Sequence, residues 1–386
     1  MWWTGPSWLS LEEPLMQKPQ VPETTIEERK KEMYYKEEIK DLQEKGKIKI
    51  RSTLIKLDPY LDDMGLLRMG NLPEVRVNPG RPFKFSAVDY AGPIQIRTAK
   101  GRGHKSHKGY ICLFICMKTR AVHLEAVSDL TTSGFLSAYR RLTSRRGRCS
   151  ELWSDNGLNF VGAARELTVM INQAKNSFGQ EVAEQLANEG TTWHFIPPRA
   201  PNFGGLWEAG IKSVKIHLTR VIGNTTLTYE EMTTLLTQIE ACLNSRPLCE
   251  MSEHPDDLMP LTPAHFLIGE PLMLIPEQNY EEICLSTLSR WHLVQKMTHH
   301  FWKRWSAEFL HTLQQRQKWH TKCDPPKLGD LVIIKEEDTP PTRWPMARIT
   351  QLHPGLDGIV RVATTKTKSA TLKRPLSKLV LLPSDN

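Results

Sequence analysis

The sequence predicts an α/β protein in which a mixed β-sheet is flanked by helices and followed by a small second β unit. Between residues 82 and 248, three strand-like segments come in succession, and helical and strand-like segments then alternate. This order is typical of a sheet with both strand directions and helices on its faces. After residue 328, short strand-like segments separated by turn residues predict a small β-barrel.

The elements of the larger sheet follow from the spacing of apolar residues. Strands are predicted where apolar runs end at turn residues, at 85–90, 109–118, 121–127, 149–153 and 192–196. Helices are predicted at 132–143, 160–173, 206–222 and 229–244. In the third of these helices the apolar residues recur mostly at the spacing of one helix face. They are Leu206, Ile211, Val214, Leu218 and Ile222.

The regions on either side of this core differ from it in composition. Residues 1–24 are rich in Pro, and residues 25–45 alternate acidic and basic side chains around a thin apolar thread, which predicts an exposed or partner-seeking helix. A Pro-rich connection at 255–282 precedes a long helical stretch at 288–319. The predicted regions are an N-terminal remnant at 1–76, a core at 77–250, a connector with the long helix at 251–322 and the barrel at 323–386.

The long helical stretch carries an aromatic stripe. Phe301, Trp305, Phe309 and Leu313 repeat every four residues, a spacing more typical of a packing seam than of a platform for stacking bases. Basic residues on its other face could lie along a phosphate backbone. They are Arg290, Lys296, Lys303, Arg304, Arg316 and Lys318.

Composition narrows the class of protein. The 386 residues carry a net charge of +8 and a pI near 9.0, which favours a polyanionic partner. No apolar run approaches the ~20 residues of a membrane-spanning helix, so no membrane partner is expected. Seven cysteines without framework spacing favour a reduced, intracellular setting.

Positive charge is concentrated in two clusters. Between residues 90 and 124 there is no acidic residue, and seven basic ones favour contact with phosphate: Arg97, Lys100, Arg102, Lys105, Lys108, Lys118 and Arg120. The second cluster ends a predicted helix and consists of Arg140, Arg141, Arg145, Arg146 and Arg148. For this second cluster, a solvated face with favourable charge at a helix C-terminus is an equally good interpretation.

Three acidic residues stand where a metal site could form. Asp89 and Asp155 each end an apolar run and precede turn residues, so both carboxylates are expected at strand ends. Glu208 lies in the first turn of a predicted helix, a position that by itself is typical of helix capping. Three carboxylates without His or Cys suit Mg²⁺ or Mn²⁺ better than zinc.

The sequence around these acids carries a family resemblance. Residues 88–93 (VDYAGP), 153–160 (WSDNGLNF) and 201–208 (PNFGGLWE) together closely resemble the three acidic blocks of integrases from LTR retrotransposons of the BEL/Pao type. Residues 243–248 (LNSRPL) and 261–269 (LTPAHFLIG) also match that family. The C-terminal strands resemble the DNA-binding domain of retroelement integrases.

The resemblance implies a ribonuclease H-like core and a polynucleotidyl transferase. Such an enzyme trims DNA 3′ ends and then joins the freed 3′-hydroxyl to target DNA with two metal ions. Asp89 would bridge two Mg²⁺ or Mn²⁺ ions, Asp155 would bind one of them, and Glu208 would bind the other. The implied partners are retroelement ends and target DNA, and the implied state is a homo-oligomer in the nucleus.

Four further residues are candidates for contacting DNA. They are Asn156, Asn202, Lys212 and Lys215, beside the second and third acids. Each of them also fits turn chemistry or the solvated face of a helix.

One family feature is missing. Residues 57–70 resemble the segment that precedes the His/His/Cys/Cys zinc module in BEL/Pao polyproteins, but residues 71–77 already resemble the sequence just before the catalytic core. No His precedes His104 and no Cys precedes Cys112, so no zinc is expected in this part. The gap favours an alternative, a catalytically weak or inactive retroelement-derived protein that binds DNA. A ribonuclease acting on RNA/DNA hybrids is a third reading, disfavoured by the C-terminal strands.

Overall fold

A computed structural model shows the protein as two compact units, residues 1–78 and 79–386. The structure describes residues 40–41, 59–61, 67–69, 80–99, 101, 103, 105–177, 190–195, 205–252, 254–276, 278, 280, 283, 289–314, 326–336 and 338–382. The side chains of 59–61, 67–69, 174–177 and 205–211 lie outside this description. In the first unit, strands β1 (Pro59–Leu61) and β2 (Leu67–Met69) form an antiparallel hairpin.

The second unit is built on a mixed sheet with the strand order β5-β4-β3-β6-β7. Its strands are β3 (Phe85–Arg97), β4 (Ser106–Cys116), β5 (Val122–Val127), β6 (Glu151–Ser154) and β7 (Thr192–Phe195). The first three are antiparallel neighbours, and β6 and β7 continue the sheet in parallel. A two-residue strand that the sequence did not predict, β8 (Leu227–Thr228), pairs with the end of β3. This is the strand order of the ribonuclease H-like fold, so the predicted fold class is confirmed.

Helices cover both faces of this sheet. They are α1 (Thr132–Arg146), α2 (Leu158–Ser177), α3 (Gly205–Ile222), α4 (Tyr229–Asn244), α5 (Pro263–Ile268) and α6 (Arg290–Leu313). On one face, Phe135 of α1 and Phe160 of α2 pack with Phe114 of β4. On the other face, α3, α4 and α6 share one buried cluster with β3, β4 and β5. Two helix layers therefore bury the central strand on both sides.

Local signals explain where these helices begin and end. Thr131 Oγ1 accepts a hydrogen bond from Gly134 N before α1, and Gly147 follows that helix with φ 78°, a value that L side chains rarely adopt. A reciprocal capping box between Thr228 and Glu231 opens α4. Ser289 caps α6. Each cap satisfies backbone groups that a helix end leaves unpaired.

The second arginine cluster forms ion pairs with two buried acids, one on β5 and one on α4. Glu125 of β5 accepts hydrogen bonds from Arg141 Nε at 2.5 Å and from Arg145 Nη1 at 2.9 Å. Glu240 of α4 accepts one from Arg146 Nη2 at 2.8 Å. Both glutamates are almost completely buried. Three of the five arginines are therefore ion-paired, which replaces the interpretation of this cluster as a solvated face.

The C-terminal part is a five-stranded antiparallel sheet in the order β14-β13-β12-β11-β15. Its strands are β11 (Leu331–Ile334), β12 (Met346–Pro354), β13 (Val360–Lys366), β14 (Thr371–Pro375) and β15 (Leu379–Leu381). Within the described residues no ladder joins the edge strands β14 and β15. The predicted closed barrel is therefore wrong, although all five strands were expected. A second small ladder, β9 (Cys249–Glu250) with β10 (Pro260–Leu261), lies in the connector.

The long helix α6 joins the two sheets. Phe301 and Trp305 are buried in the same cluster as α3 and α4, and Trp344, just before β12, packs against them. The aromatic stripe is thus a packing seam, as its spacing predicted. Among the described residues, no helix has both the length and the apolar character that crossing a membrane requires.

Candidate active site

Asp89 and Asp155 lie at the same level of two neighbouring parallel strands. In the ladder between β3 and β6, Ala87 is paired with Trp153. Asp89 and Asp155 each come two residues later, and Asp155 follows the last residue of β6 directly. Because side chains two apart point to the same face and parallel strands are about 4.8 Å apart, both carboxylates start from the same face of the sheet, at the level where β6 ends and β3 continues.

The Asp89 carboxylate is held on both of its oxygens. Oδ1 accepts a hydrogen bond from Tyr90 N at 2.6 Å, and Oδ2 accepts one from Lys215 Nζ at 2.6 Å. The side chains of Asp89 and Lys215 are 37% and 30% exposed, so the pair is open to solvent. This contact holds helix α3 beside Asp89.

The Asp155 carboxylate is shaped by the turn that follows β6. Its Oδ1 accepts a hydrogen bond from Gly157 N at 2.9 Å. Asp155 and Asn156 are both exposed. Trp153, on the same side of the strand as Asp155, stacks on His194 of β7 with ring centroids 4.7 Å apart. At the end of β6, the exposed Asp155 carboxylate therefore follows two residues after the stacked ring of Trp153.

The remaining predicted residues lie on or before helix α3. Glu208 falls in the first turn of α3, but its side chain is outside the described part of the protein. Position 208 is seven residues before Lys215, which is two helical turns, so both positions lie on the same side of the helix. Lys212 is exposed. Asn202 lies outside the described residues. The structure thus sets Asp89 level with Asp155 and joins Lys215 to Asp89, and it leaves Glu208 and Asn202 as predictions.

Helix α3 is also bound on another side, by a residue that the sequence did not point to. Glu308 of α6 accepts hydrogen bonds from Ser213 Oγ and His217 Nε2 of α3, both at 2.7 Å. Glu308 comes from a helix far along the chain, and no local pattern marks it as a partner of α3. A long-range contact of this kind depends on tertiary packing.

The donor chemistry of the site fits a divalent metal ion. Asp89 and Asp155 offer hard carboxylate oxygens, and the ammonium group of Lys215 beside Asp89 Oδ2 shows that a cation is accommodated there. Among the described side chains, which do not include that of Glu208, no group of three or more His, Cys, Asp or Glu residues is gathered closely enough to hold a metal. The two aspartates are therefore the described part of a candidate site.

Comparison with known proteins gives one sequence match and several structural likenesses. Residues 289–382, from α6 to the last strand, match a family of unknown function (DUF5641). No curated protein matches the chain in sequence.

Among solved structures, the chain is similar to one in the simian T-cell lymphotropic virus intasome in complex with the PP2A regulatory subunit B56 gamma. The identity is 13%, the match covers 80% of this chain and 82% of that chain, and the TM-score is 0.32. It is also similar to the HTLV-2 integrase catalytic core domain in complex with magnesium. For the trimeric form, identity is 14%, coverage is 49% of this chain and 99% of that chain, and the TM-score is 0.29. The dimeric form covers 50% of this chain at the same identity and TM-score.

Proposed function

We propose that the protein is an integrase-like polynucleotidyl transferase of the BEL/Pao retrotransposon type, which trims DNA 3′ ends and transfers them to target DNA. The observation that carries this proposal is the placement of Asp89 and Asp155 at one level of adjacent parallel strands, with helix α3 held beside Asp89 by Lys215. Glu208, in the first turn of that helix, is the proposed third carboxylate.

In the proposed mechanism, Asp89, Asp155 and Glu208 hold two divalent ions, Mg²⁺ or Mn²⁺. When bound, such ions supply an activated attacking oxygen and charge stabilisation at the leaving oxygen of the phosphodiester. The protein's own contribution is to orient the three carboxylates and to keep the strand end open to DNA. Lys215, released from Asp89, and the exposed Lys212 would then contact phosphate oxygens.

The proposed partner is DNA, both as the ends to be processed and as the target. A net charge of +8 favours binding to a polyanion. Asn156, exposed next to Asp155, is proposed to contact a DNA strand entering the site. A homo-oligomer acting in the nucleus is part of the same proposal, since joining two DNA ends to one target needs more than one active site.

The test is Mg²⁺-dependent strand transfer and disintegration by the purified full-length protein on branched and blunt DNA. Wild type is expected to act only with Mg²⁺ or Mn²⁺. Asp89→Asn and Asp155→Asn each remove one charged ligand and keep the side-chain shape, so each is expected to abolish activity. Asp256→Asn, an exposed aspartate that bonds Lys366 far from the site in sequence, is the matched control and should keep full activity. Equal activity of wild type and Asp155→Asn would overturn the proposal.

The second candidate is a DNA-binding protein without catalysis. The contact between Lys215 and Asp89 favours it, because a proposed metal ligand is already neutralised by an internal cation. The same assay separates the two functions. A non-catalytic protein would bind DNA with equal affinity in the presence and absence of Mg²⁺ and would release no cleaved or joined product.

A further inference from the structure

Helix α3 is held by α6 on the side that faces away from Asp89. Ser213 and His217 are four residues apart, so their side chains lie one above the other on α3. They donate to different oxygens of one carboxylate: Ser213 Oγ to Glu308 Oε1 and His217 Nε2 to Glu308 Oε2, both at 2.7 Å. A single glutamate therefore accepts hydrogen bonds from two successive turns of α3.

The opposite side of α3 carries the contact to the central strand. Successive helical residues rotate by about 100°, so Lys215 points roughly 160° away from Ser213 and His217 around the helix axis. Its Nζ is bonded to Asp89 Oδ2. The two contacts together restrict rotation and sliding of α3, because each fixes a different side.

The partners of Glu308 differ sharply in burial. His217 is only 3% exposed and packs edge-on against Phe301 of α6, with ring centroids 6.1 Å apart. Its Nδ1 has no hydrogen-bond partner among the described residues. The Glu308 side chain is 45% exposed. Ion pairs of half-exposed acids contribute little to the free energy of unfolding. The two hydrogen bonds that Glu308 accepts are therefore expected to orient α3 more than they stabilise the fold.

We propose that Glu308 is a positioning residue, which sets the rotation and height of α3 and so places Glu208 relative to Asp89 and Asp155. The inference rests on the proposed function and adds a specific role for the helix that begins the family match at residues 289–382. In this arrangement α6 contributes to the catalytic unit through hydrogen bonds to Ser213 and His217 as well as through apolar packing.

The first test compares kinetics and melting temperature of Glu308→Ala, Glu308→Gln and Lys303→Ala in the full-length protein. Lys303→Ala is the matched control, because Lys303 is on the same helix as Glu308 and its replacement breaks only an exposed ion pair with Asp338, which lies between β11 and β12. Glu308→Ala is expected to lower kcat on the order of tenfold, with KM for DNA and melting temperature nearly unchanged. Glu308→Gln should recover part of the loss, because its amide oxygen can still accept from one donor. An unchanged kcat in Glu308→Ala overturns the inference, as does a loss that simply follows the melting temperature.

The second test does not depend on catalysis. Hydrogen exchange of the backbone amides of residues 209–217 reports how firmly α3 is held. Glu308→Ala should exchange several-fold faster there than wild type, whereas Lys303→Ala should match wild type. Exchange that is equal in all three proteins overturns the positioning role. If wild type is inactive on DNA but Glu308→Ala shows the faster exchange, the proposed function fails while the grip of Glu308 on α3 stands.

Discussion

Lys215 Nζ lies 2.6 Å from Oδ2 of Asp89, joining helix α3 to the central strand of the sheet. The two residues are 126 positions apart in sequence. Because the ammonium group occupies an oxygen that the proposed metal ion would need, the metal ion and Lys215 are expected to compete for Asp89. Binding of one is therefore expected to release the other.

Removal of the Lys215 ammonium group is expected to strengthen Mg²⁺ binding. In Lys215→Met the side chain keeps its length but no longer donates to Asp89, so the carboxylate is free for the ion. The Mg²⁺ midpoint should fall on the order of threefold to tenfold, measured by titration calorimetry or by the Mg²⁺-dependent rise in melting temperature. Lys212→Met, which removes the same charge one turn earlier, should change the midpoint much less. Weaker binding in Lys215→Met would contradict the competition.

The two aspartates could be predicted from sequence, but their lysine partner could not. Each aspartate follows an apolar run, and this local signal correctly places Asp155 directly after the last residue of β6. The expected strand end at Asp89 is wrong, because β3 continues to Arg97. The partner of Asp89 depends on how α3 sits on the sheet, which is decided by packing against α4 and α6. Lys215 was expected to contact DNA because it lies near the third acid in sequence, and sequence proximity does not reveal an internal ion pair.

The arginine cluster shows the same limit. A run of arginines at a helix C-terminus has the same sequence pattern whether the arginines face solvent or pair with a buried acid, so the pattern does not distinguish the two. Their partner Glu125 lies within an apolar strand, and Glu240 lies on a helix about a hundred residues away in sequence.

The strands of the C-terminal sheet were found from turn signals, but closure into a barrel depends on register, which shifts between Ile349 and Gln351 of β12.

Loss of the buried Glu240 carboxylate is expected to be strongly destabilising. Glu240 Oε2 accepts from Leu124 N at 3.0 Å and lies 3.1 Å from Nδ1 of the buried His123, while Oε1 binds Arg146. Removing one member of a buried ion pair leaves its partner charge uncompensated, so Glu240→Gln should cost about 3 kcal/mol of unfolding free energy, measured in urea. Asp338→Asn, which breaks only an exposed pair, is the control and should be close to wild type. A loss as small as in the control would contradict the role of the network.

The same network predicts how stability depends on pH. Burial alone would lower the pKa of His123, but the carboxylates of Glu125 and Glu240 raise it above its ordinary value of 6.5. Burial alone would raise the pKa of both glutamates, but His123 and the arginines lower it below 4.5. The histidine's stabilising contribution is therefore full below its unfolded pKa and is lost as pH rises through its folded pKa. The glutamates' contribution is present above their unfolded pKa and is lost as pH falls through the folded one.

Urea unfolding of wild type and His123→Gln across pH 4 to 9 checks this pH dependence. The stability difference between them should be largest between about pH 4.5 and 6.5 and should shrink on the alkaline side. A difference that grows as the pH rises would show that His123 is neutral in the folded protein.

The aromatic seam of α6 should dominate the stability of this helix. Phe301 of α6 is fully buried against α3. Trp291, at the N-terminal end of the same helix, is 56% exposed. Phe301→Ala leaves a cavity and should cost about 3 to 5 kcal/mol of unfolding free energy. Trp291→Ala should stay within about 0.5 kcal/mol of wild type. Equal effects at the two positions, measured by urea unfolding, would show that α6 is not held by this seam.

The C-terminal sheet is expected to bind DNA by charge alone. Lys368, between β13 and β14, and Lys373 on β14 are exposed, while Lys366 Nζ already bonds Asp256 at 2.8 Å. Each lysine that neutralises a phosphate adds about 0.9 to the slope of log affinity against log salt. Lys368→Ala and Lys373→Ala should each lower affinity equally for unrelated duplexes and reduce this slope by about 0.9 in a fluorescence anisotropy titration. Lys366→Ala should change it less, because its charge is already paired within the protein. Loss that depends on DNA sequence would indicate base contacts instead of a phosphate grip.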